Sequence, residues 1–200
     1  VNDRPKPMAL VNGKPFLQYI IEHLVQQEIR NIVLCTGYLG EQIEEYFQDG
    51  SRLNCQIFYS KEKIPLGTGG AVKLAEPFIQ EDAFLLLNGD TFLELSYTDM
   101  YREHLKRNAD LTMALVKTAD TSRYGCIRID RQNQVVDFWE KDGSRPSRYI
   151  NGGVYIMKKH LLNRIVPDKK LSLELDVFPG MLKDQIPIFG YKVRGYFMDI

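Results

Sequence analysis

The chain has 200 residues, of which 44% are hydrophobic and 26% charged, and this balance suits one globular domain whose core needs no disulfide or metal support. Lys and Arg total 26 and Asp and Glu total 26, so the sequence lacks the basic excess of a general nucleic-acid binder. No apolar run reaches the roughly 20 residues that cross a bilayer, and three scattered cysteines without zinc spacing favour a cytoplasmic protein.

Helix and strand patterns alternate through the first half of the chain. Apolar residues at helical spacing predict an amphipathic helix over residues 16–27 and further helices around residues 43–47, after residue 70 and around residues 100–105. Short β-branched or continuous apolar runs predict strands at residues 32–36, 56–60, 84–87 and 111–117. This alternation predicts an α/β, Rossmann-like fold with a mostly parallel sheet flanked by helices.

The second half has the pattern of antiparallel strands. Apolar stretches at residues 125–129 and 135–139 flank a hairpin-like turn at residues 130–133, and residues 149–157 form another strand pattern. We therefore expect a small antiparallel addition to the parallel half. With no linker or internal repeat, residues 1–200 are expected to form a single domain.

Acidic residues follow two predicted strands. Asp90 ends the turn Asn88-Gly89-Asp90 after the strand at residues 84–87, and Asp199 lies near the end of a strand-like stretch at residues 195–200. Ligands of α/β sheets bind beyond the carboxyl ends of strands, and Mg²⁺ is commonly held by one or two carboxylates plus phosphates. Two such acids brought together would form a metal site, although an ordinary turn accounts for Asp90 equally well.

A glycine-rich stretch, Leu66-Gly67-Thr68-Gly69-Gly70, joins a strand pattern to a helix pattern. Glycines permit close approach to the backbone and leave N–H groups for an anion or a base edge. The stretch is neither a Walker loop nor a complete G-x-G-x-x-G motif, and a flexible turn is the alternative. We favour a binding role because three glycines in four residues exceed what a turn needs.

The remaining candidates are Lys6, Glu140, Lys141, Asn151 and Glu174. Lys6 is held between two prolines and fits either a point charge for phosphate or a surface lysine. Asn151 precedes two glycines inside an apolar strand, which indicates a bulge or a close backbone approach. Glu174 also fits a plain helix start capped by Ser172.

The order of these motifs is more specific than any one of them. The sequence resembles the sugar-1-phosphate nucleotidyltransferase family over essentially its whole length, in the order Lys6-Pro7-Met8, Leu66-Gly67-Thr68-Gly69-Gly70, Asn88-Gly89-Asp90, Tyr124-Gly125, Glu140-Lys141, Asn151-Gly152-Gly153, Ser172-Leu173-Glu174-Leu175-Asp176 and Met198-Asp199-Ile200. Within the family, it is most similar to the D-glycero-α-D-manno-heptose 1-phosphate guanylyltransferases and next to the mannose-1-phosphate guanylyltransferases.

The resemblance implies a role for each candidate residue. It implies Mg²⁺ held by Asp90 and Asp199, and it implies catalytic roles for Lys6, Asp90 and Lys141. The nucleotide-binding residues that it implies are Glu62, Gly67, Thr68, Gly70, Asn88 and Gly89. The sugar-binding residues that it implies are Gly125, Glu140, Asn151, Gly152 and Glu174.

The resemblance also implies the reaction, which is transfer of GMP from GTP to heptose 1-phosphate with release of pyrophosphate in the cytoplasm. Mannose 1-phosphate and other hexose 1-phosphates are alternative acceptors. Residues 1–118 would mainly bind the nucleotide and residues 119–200 the sugar, with no nucleic-acid or membrane partner, and a homo-oligomer is compatible with this scheme. The family's glycine-rich loop would precede Val1 and its chain would continue beyond Ile200, so both ends look cut.

Two alternatives belong to other functional classes. A glycosyltransferase that uses a sugar nucleotide would share the nucleotide-binding sheet, but it usually carries Asp-x-Asp where this sequence has Asn88-Gly89-Asp90. A non-catalytic regulatory subunit could keep the fold and bind a sugar nucleotide. The presence of Lys6, Asp90 and Lys141 favours an enzyme over such a subunit.

Overall fold

The computed structural model describes residues 3–118, 126–139 and 149–200, which divide into two compact units. The first unit comprises residues 1–80 and 162–173 together with Ile200, and the second comprises residues 81–161 and 174–199. The single-domain organisation and the functional boundary at residue 118 stay predictions. Among the described residues, no helix combines the length and the hydropathy needed to cross a bilayer.

The first unit is built around a parallel strand pair. Its elements in chain order are β1 (Leu10–Val11), β2 (Lys14–Pro15), α1 (Phe16–Gln26), β3 (Asn31–Thr36), α2 (Gly40–Phe47), β4 (Gln56–Lys61) and α3 (Gly67–Leu74), with 3-10 turns at Lys6–Met8, Ser51–Leu53 and Glu76–Phe78. β3 and β4 pair in parallel, from Asn31 opposite Gln56 to Thr36 opposite Lys61, and α2 connects them. The predicted βαβ unit is therefore confirmed here, and α1 buries the apolar face that its spacing predicted.

The second unit contains most of the strands. Its elements are β5 (Ala83–Leu87), β6 (Thr91–Leu93), α4 (Tyr97–Lys106), β7 (Leu111–Lys117), β8 (Cys126–Ile129), β9 (Val135–Trp139), β10 (Tyr149–Lys158), α5 (Phe178–Lys183), β11 (Ile188–Val193) and β12 (Phe197–Asp199). The chain between β10 and α5 includes the 3-10 turn Lys159–Arg164 and the π-helical turn Leu173–Val177.

The sheet of the second unit is mixed. Its strands run in the order β11-β7-β10-β8-β9, and β5 also pairs with β10. β10 is antiparallel to β5, β7 and β8, whereas β11 is parallel to β7. The α/β class is confirmed, and the antiparallel part is larger than the pattern predicted. A continuous apolar run indicates that both faces of a strand are buried, but it does not indicate the direction of the neighbouring strand.

α4 buries a face that includes a histidine. Met100 and His104 are buried, whereas Tyr101 and Leu105, which also marked this helix in the sequence, are exposed. His104 Nδ1 lies 2.8 Å from the hydroxyl oxygen of Thr112, and His104 Nε2 has no hydrogen-bond partner among the residues that the structure describes. Burial, followed by the charge of a nearby lysine, lowers the pKa of His104, so the ring is neutral at neutral pH.

This lowered pKa predicts acid sensitivity. The unfolded chain binds the proton more readily than the folded one, so the stability that neutral His104 contributes is present above pH 6.5 and is lost as pH falls through the lowered pKa. Urea unfolding between about pH 5 and about pH 8 should show a smaller acid loss for His104→Gln than for the wild type. A stability difference between the two proteins that does not change with pH would contradict the prediction.

Candidate functional site

The two predicted metal ligands lie at one end of a strand ladder in the second unit. β6 and β12 pair antiparallel, with Asp199 opposite Thr91, and the Thr91 hydroxyl oxygen is 3.5 Å from Asp199 Oδ1. Opposed residues in such a ladder have Cα atoms roughly 4.5–5.5 Å apart. Because Asp90 directly precedes Thr91, the structure brings the two acids to neighbouring positions although they are distant in sequence.

The chemistry of this pair suits a hard divalent cation. Mg²⁺ prefers oxygen ligands and is commonly bound by one or two carboxylates, with water and substrate phosphates in the remaining positions. Within residues 3–118, 126–139 and 149–200, no group of three or more His, Cys, Asp or Glu side chains is arranged to hold a metal. A site completed by phosphates needs only the pair Asp90 and Asp199.

β10 is interrupted where the predicted sugar-binding motif lies. It pairs with β8 at Ile150 and with β5 only from Val154 onward, and its register with β7 shifts between Asn151 and Tyr155. Gly153 has φ +68°, a conformation that residues with a side chain rarely adopt. The bulge that the sequence indicated is therefore confirmed.

β5 leaves β10 at the same point. The Asn88 N–H donates to the Gly153 carbonyl at 2.8 Å, and the chain then turns through Gly89 and Asp90 into β6. A Cβ added to Gly153 would lie 3.2 Å from Asn88 Nδ2, and one added to Gly152 would lie 3.0 Å from a backbone carbonyl of β7. Residues 88–90 thus follow the end of β5 beside the bulge, as the rule for ligands beyond strand ends requires.

A series of hydrogen bonds connects the bulge to the π-helical turn. The Gly153 N–H donates to Asn151 Oδ1 at 3.0 Å, and Asn151 Nδ2 donates to the Tyr155 hydroxyl at 2.5 Å. That hydroxyl donates to Glu174 Oε1 at 3.3 Å. Burial, followed by the charge of Glu174, raises the pKa of Tyr155 well above 10, so the hydroxyl keeps its proton. The structure therefore brings together two predicted sugar-binding residues, Asn151 and Glu174.

In the first unit, the glycine-rich stretch lies against residues 169–173. The N–H groups of Gly69 and Gly70 donate to the Leu171 carbonyl at 2.8 and 3.4 Å, and the Thr68 hydroxyl accepts the Leu173 N–H at 2.8 Å. The expectation that the stretch leaves its N–H groups for a ligand is wrong at Gly69 and Gly70, because the chain itself supplies their acceptor.

Crowding of the backbone accounts for two of the glycines. A Cβ on Gly67, whose φ is +69°, would lie 2.6 Å from the Leu171 carbonyl oxygen, and one on Gly70 would lie 2.6 Å from the Lys169 carbonyl oxygen. Close packing of the chain therefore accounts for glycine at both positions whether or not a nucleotide binds. Their role in nucleotide binding stays a prediction.

Glu62 lies at the carboxyl edge of the parallel pair. Its backbone N–H donates to the Thr36 carbonyl at 2.9 Å, and its carboxylate accepts the Leu66 N–H at 3.0 Å. The same carboxylate packs against Gly37, just beyond β3, so closely that a Cβ there would collide with it. Glu62 thus fixes the turn that leads into the glycine-rich stretch.

The other predicted residues are only partly described. Lys6 belongs to the 3-10 turn Lys6–Met8 of the first unit and has an exposed side chain. Gly125, Glu140 and Lys141 lie outside the described residues. Sequence analysis missed Tyr155, because an apolar strand gives no signal that one of its tyrosines bonds to a residue of a later helix.

Comparison with known proteins identifies similar chains. A family model described as nucleotidyl transferase matches residues 2–200. The D-glycero-alpha-D-manno-heptose 1-phosphate guanylyltransferase of Campylobacter jejuni is 39% identical over 202 residues, which cover 100% of this chain and 86% of that protein. The protein of the same name from Aneurinibacillus thermoaerophilus is 40% identical over 201 residues, covering 100% of this chain and 85% of that protein.

A further relative is considerably longer than this chain. The mannose-1-phosphate guanylyltransferase of Mycobacterium tuberculosis is 34% identical over 197 residues, or 98% of this chain, and the chain spans 55% of its length. Among solved structures, HddC from Yersinia pseudotuberculosis has a TM-score of 0.88 at 35% identity, covering 99% of this chain and 85% of that one. Its complex with GMP-PN has a TM-score of 0.87 at 34% identity, covering 98% and 84%.

The crowding at Gly70 predicts the effect of a minimal substitution. Gly70→Ala should lower the free energy of unfolding by about 1–3 kcal/mol, because the new methyl group collides with a backbone carbonyl that cannot rotate away. Gly180→Ala in α5 is the control, since a Cβ there meets nothing within 4 Å, and it should be neutral or stabilising by up to about 1 kcal/mol. Urea unfolding measures both, and equal effects would refute the crowding argument.

Proposed function

The chain belongs to the nucleotidyl transferase family, and from this membership we propose that it transfers GMP from GTP to D-glycero-α-D-manno-heptose 1-phosphate, forming the nucleotide sugar and pyrophosphate. The structural observation that supports the proposal is the register of β6 and β12, in which Asp199 is opposite Thr91, the residue that follows Asp90. Two carboxylates at one end of a strand ladder would suit the protein's part of a magnesium site completed by phosphates.

The choice of substrates rests on the relatives. Two proteins named as heptose 1-phosphate guanylyltransferases match this chain along its full length and along 85–86% of their own. The HddC complex contains a guanine nucleotide analogue, GMP-PN. Mannose 1-phosphate is the second candidate acceptor, and it has weaker support because the chain spans about half of the mannose-1-phosphate guanylyltransferase that it matches.

The proposed chemistry is a direct displacement. A phosphate oxygen of the sugar 1-phosphate forms a bond to the α-phosphorus of GTP, and the bond from that phosphorus to the bridging oxygen breaks as pyrophosphate leaves. Such transfers depend on positioning and on neutralisation of charge rather than on a covalent enzyme intermediate. Asp90 and Asp199 would hold Mg²⁺, whose chemistry when bound is to neutralise phosphate charge. We assign the contacts to the reacting phosphates to Lys6 and Lys141.

The remaining residues bind the two substrates. We assign the nucleotide to Glu62, Gly67, Thr68, Gly70, Asn88 and Gly89, with no contact to the N–H groups of Gly69 and Gly70, because Leu171 already occupies them. We assign the sugar to Gly125, Glu140, Asn151, Gly152 and Glu174. Amide and carboxylate groups suit this role because they hydrogen-bond hydroxyl groups in a fixed geometry. Sugar phosphates and GTP are cytoplasmic metabolites, which supports a cytoplasmic location.

Pyrophosphate release by the full-length gene product tests the reaction. GTP should support release with D-glycero-α-D-manno-heptose 1-phosphate and Mg²⁺, at a kcat/KM at least about tenfold above that with mannose 1-phosphate or with other nucleoside triphosphates. Release with a different pair would keep the reaction class and correct the substrate. A folded protein that binds a sugar nucleotide yet releases nothing from any pair would instead favour a regulatory subunit.

Removing one metal-binding carboxylate tests the mechanism. Asp90→Asn keeps the shape of the side chain but loses its charge, so kcat should fall by at least about 100-fold and half-saturation should require more Mg²⁺. Asp99→Asn is the matched control, because Asp99 lies in the first turn of α4 and pairs with Arg102. Unchanged kcat and unchanged Mg²⁺ dependence in Asp90→Asn would refute the assignment.

A further inference from the structure

Tyr155 connects two of the residues assigned to the sugar, Asn151 and Glu174, without itself belonging to the assigned set. Its hydroxyl lies 2.5 Å from Asn151 Nδ2 and 3.3 Å from Glu174 Oε1, so one side chain holds both. The residue is 0% exposed. A side chain with no access to solvent cannot contact a sugar that enters from solution. Any effect of Tyr155 on the sugar must therefore pass through Asn151 and Glu174.

The direction of each hydrogen bond is fixed by the atoms present. The Gly153 N–H can only donate, so the oxygen of the Asn151 amide faces it and the amide nitrogen faces Tyr155. The phenol oxygen therefore accepts from Asn151, and its single proton points to Glu174, whose Oε1 accepts it. A chain of bonds with one polarity admits a single orientation for the amide and holds one oxygen of the carboxylate.

The aromatic ring itself is held from several sides. In β10, Tyr155 is opposite Leu86 of β5 on one side and Met113 of β7 on the other. Its ring packs on Phe178 of α5, with ring centroids 5.1 Å apart. The hydroxyl is thus fixed by the sheet, whereas Glu174 lies in a single π-helical turn, Leu173–Val177.

We propose that Tyr155 is a positioning residue, which orients Asn151 and Glu174 for binding of the sugar 1-phosphate. The inference rests on the proposed function, since it assumes that these two residues contact the sugar. The phenol supplies no group to the reacting phosphates. Its loss should therefore weaken recognition of the sugar and leave recognition of the nucleotide unchanged.

Tyr155→Phe removes only the hydroxyl and keeps the ring that packs on Phe178. The KM for the sugar 1-phosphate should rise about tenfold, while the KM for the nucleoside triphosphate stays within about twofold of the wild-type value. Tyr97→Phe is the matched control, because Tyr97 is another buried tyrosine of the same unit and should change neither KM. A Tyr155→Phe enzyme with a wild-type KM for the sugar, or with both KM values raised equally, would overturn the inference.

A double-mutant cycle tests whether Tyr155 acts through Glu174. If it does, Tyr155→Phe should raise the KM for the sugar by a smaller factor in a Glu174→Ala background than in the wild type, because Ala removes the oxygen that the hydroxyl bonds and leaves only the effect through Asn151. Additive effects would overturn the inference. The wild-type protein is assayed first. If it releases no pyrophosphate with any pair of nucleoside triphosphate and sugar 1-phosphate, the proposed function is refuted instead of the role of Tyr155.

The side-chain amide of Asn151 gives a readout that does not depend on activity. Its NMR resonances, assigned by their disappearance in Asn151→Asp, should shift and exchange faster with solvent in Tyr155→Phe than in the wild type. The same resonances should also shift in Glu174→Gln, and this variant replaces Tyr155→Phe in the test if Tyr155→Phe does not fold. Resonances that are unchanged in a folded variant would show that the phenol does not hold the amide.

Discussion

The interruption of β10 is the constraint on which the second unit depends. In a strand with neighbours on both sides, the backbone N–H and C=O groups are normally all hydrogen-bonded to those neighbours. On one side of β10, however, the neighbouring strand changes from β8 at Ile150 to β5 from Val154 onward. The bulge at Gly153 absorbs this exchange with a positive φ and offers its carbonyl to the Asn88 N–H. Because β5 ends there, the residues that follow it turn away from the sheet and carry Asp90 toward the ladder with Asp199.

Polar groups at this interruption serve the fold and the proposed chemistry together. Asn151 accepts a backbone N–H of the bulge and donates to Tyr155, so the same amide that suits a sugar hydroxyl also satisfies buried groups of the strand. A substitution at such a residue alters stability and binding at once. The hydroxyl of Tyr155 separates the two roles, because its removal in Tyr155→Phe should leave the strand pairing and the ring packing on Phe178 in place.

Backbone crowding plays the corresponding part in the first unit. Residues 169–173 lie so close to the glycine-rich stretch that Gly67 and Gly70 have no room for a side chain, and the Leu171 carbonyl takes two N–H groups of that stretch. A glycine-rich turn after a strand is therefore weak support for phosphate binding when considered alone. Support for a nucleotide substrate comes from the family.

The sequence by itself determined most of the helices and strands, because their periodicity is a local property, although it did not predict β6, α5 or β11. It also determined the family, because the order of short motifs can be identified without knowing which residues are in contact. It also indicated the bulge, since two consecutive glycines weaken a regular strand and are typical of a break in its ladder. Only the tertiary structure decided the direction of the strands, the pairing of Asp199 with Thr91 and the bond from Tyr155 to Glu174. These three features depend on which distant segments of the chain come into contact. A hydrophobic pattern indicates that a residue is buried, but it does not indicate which other residues bury it.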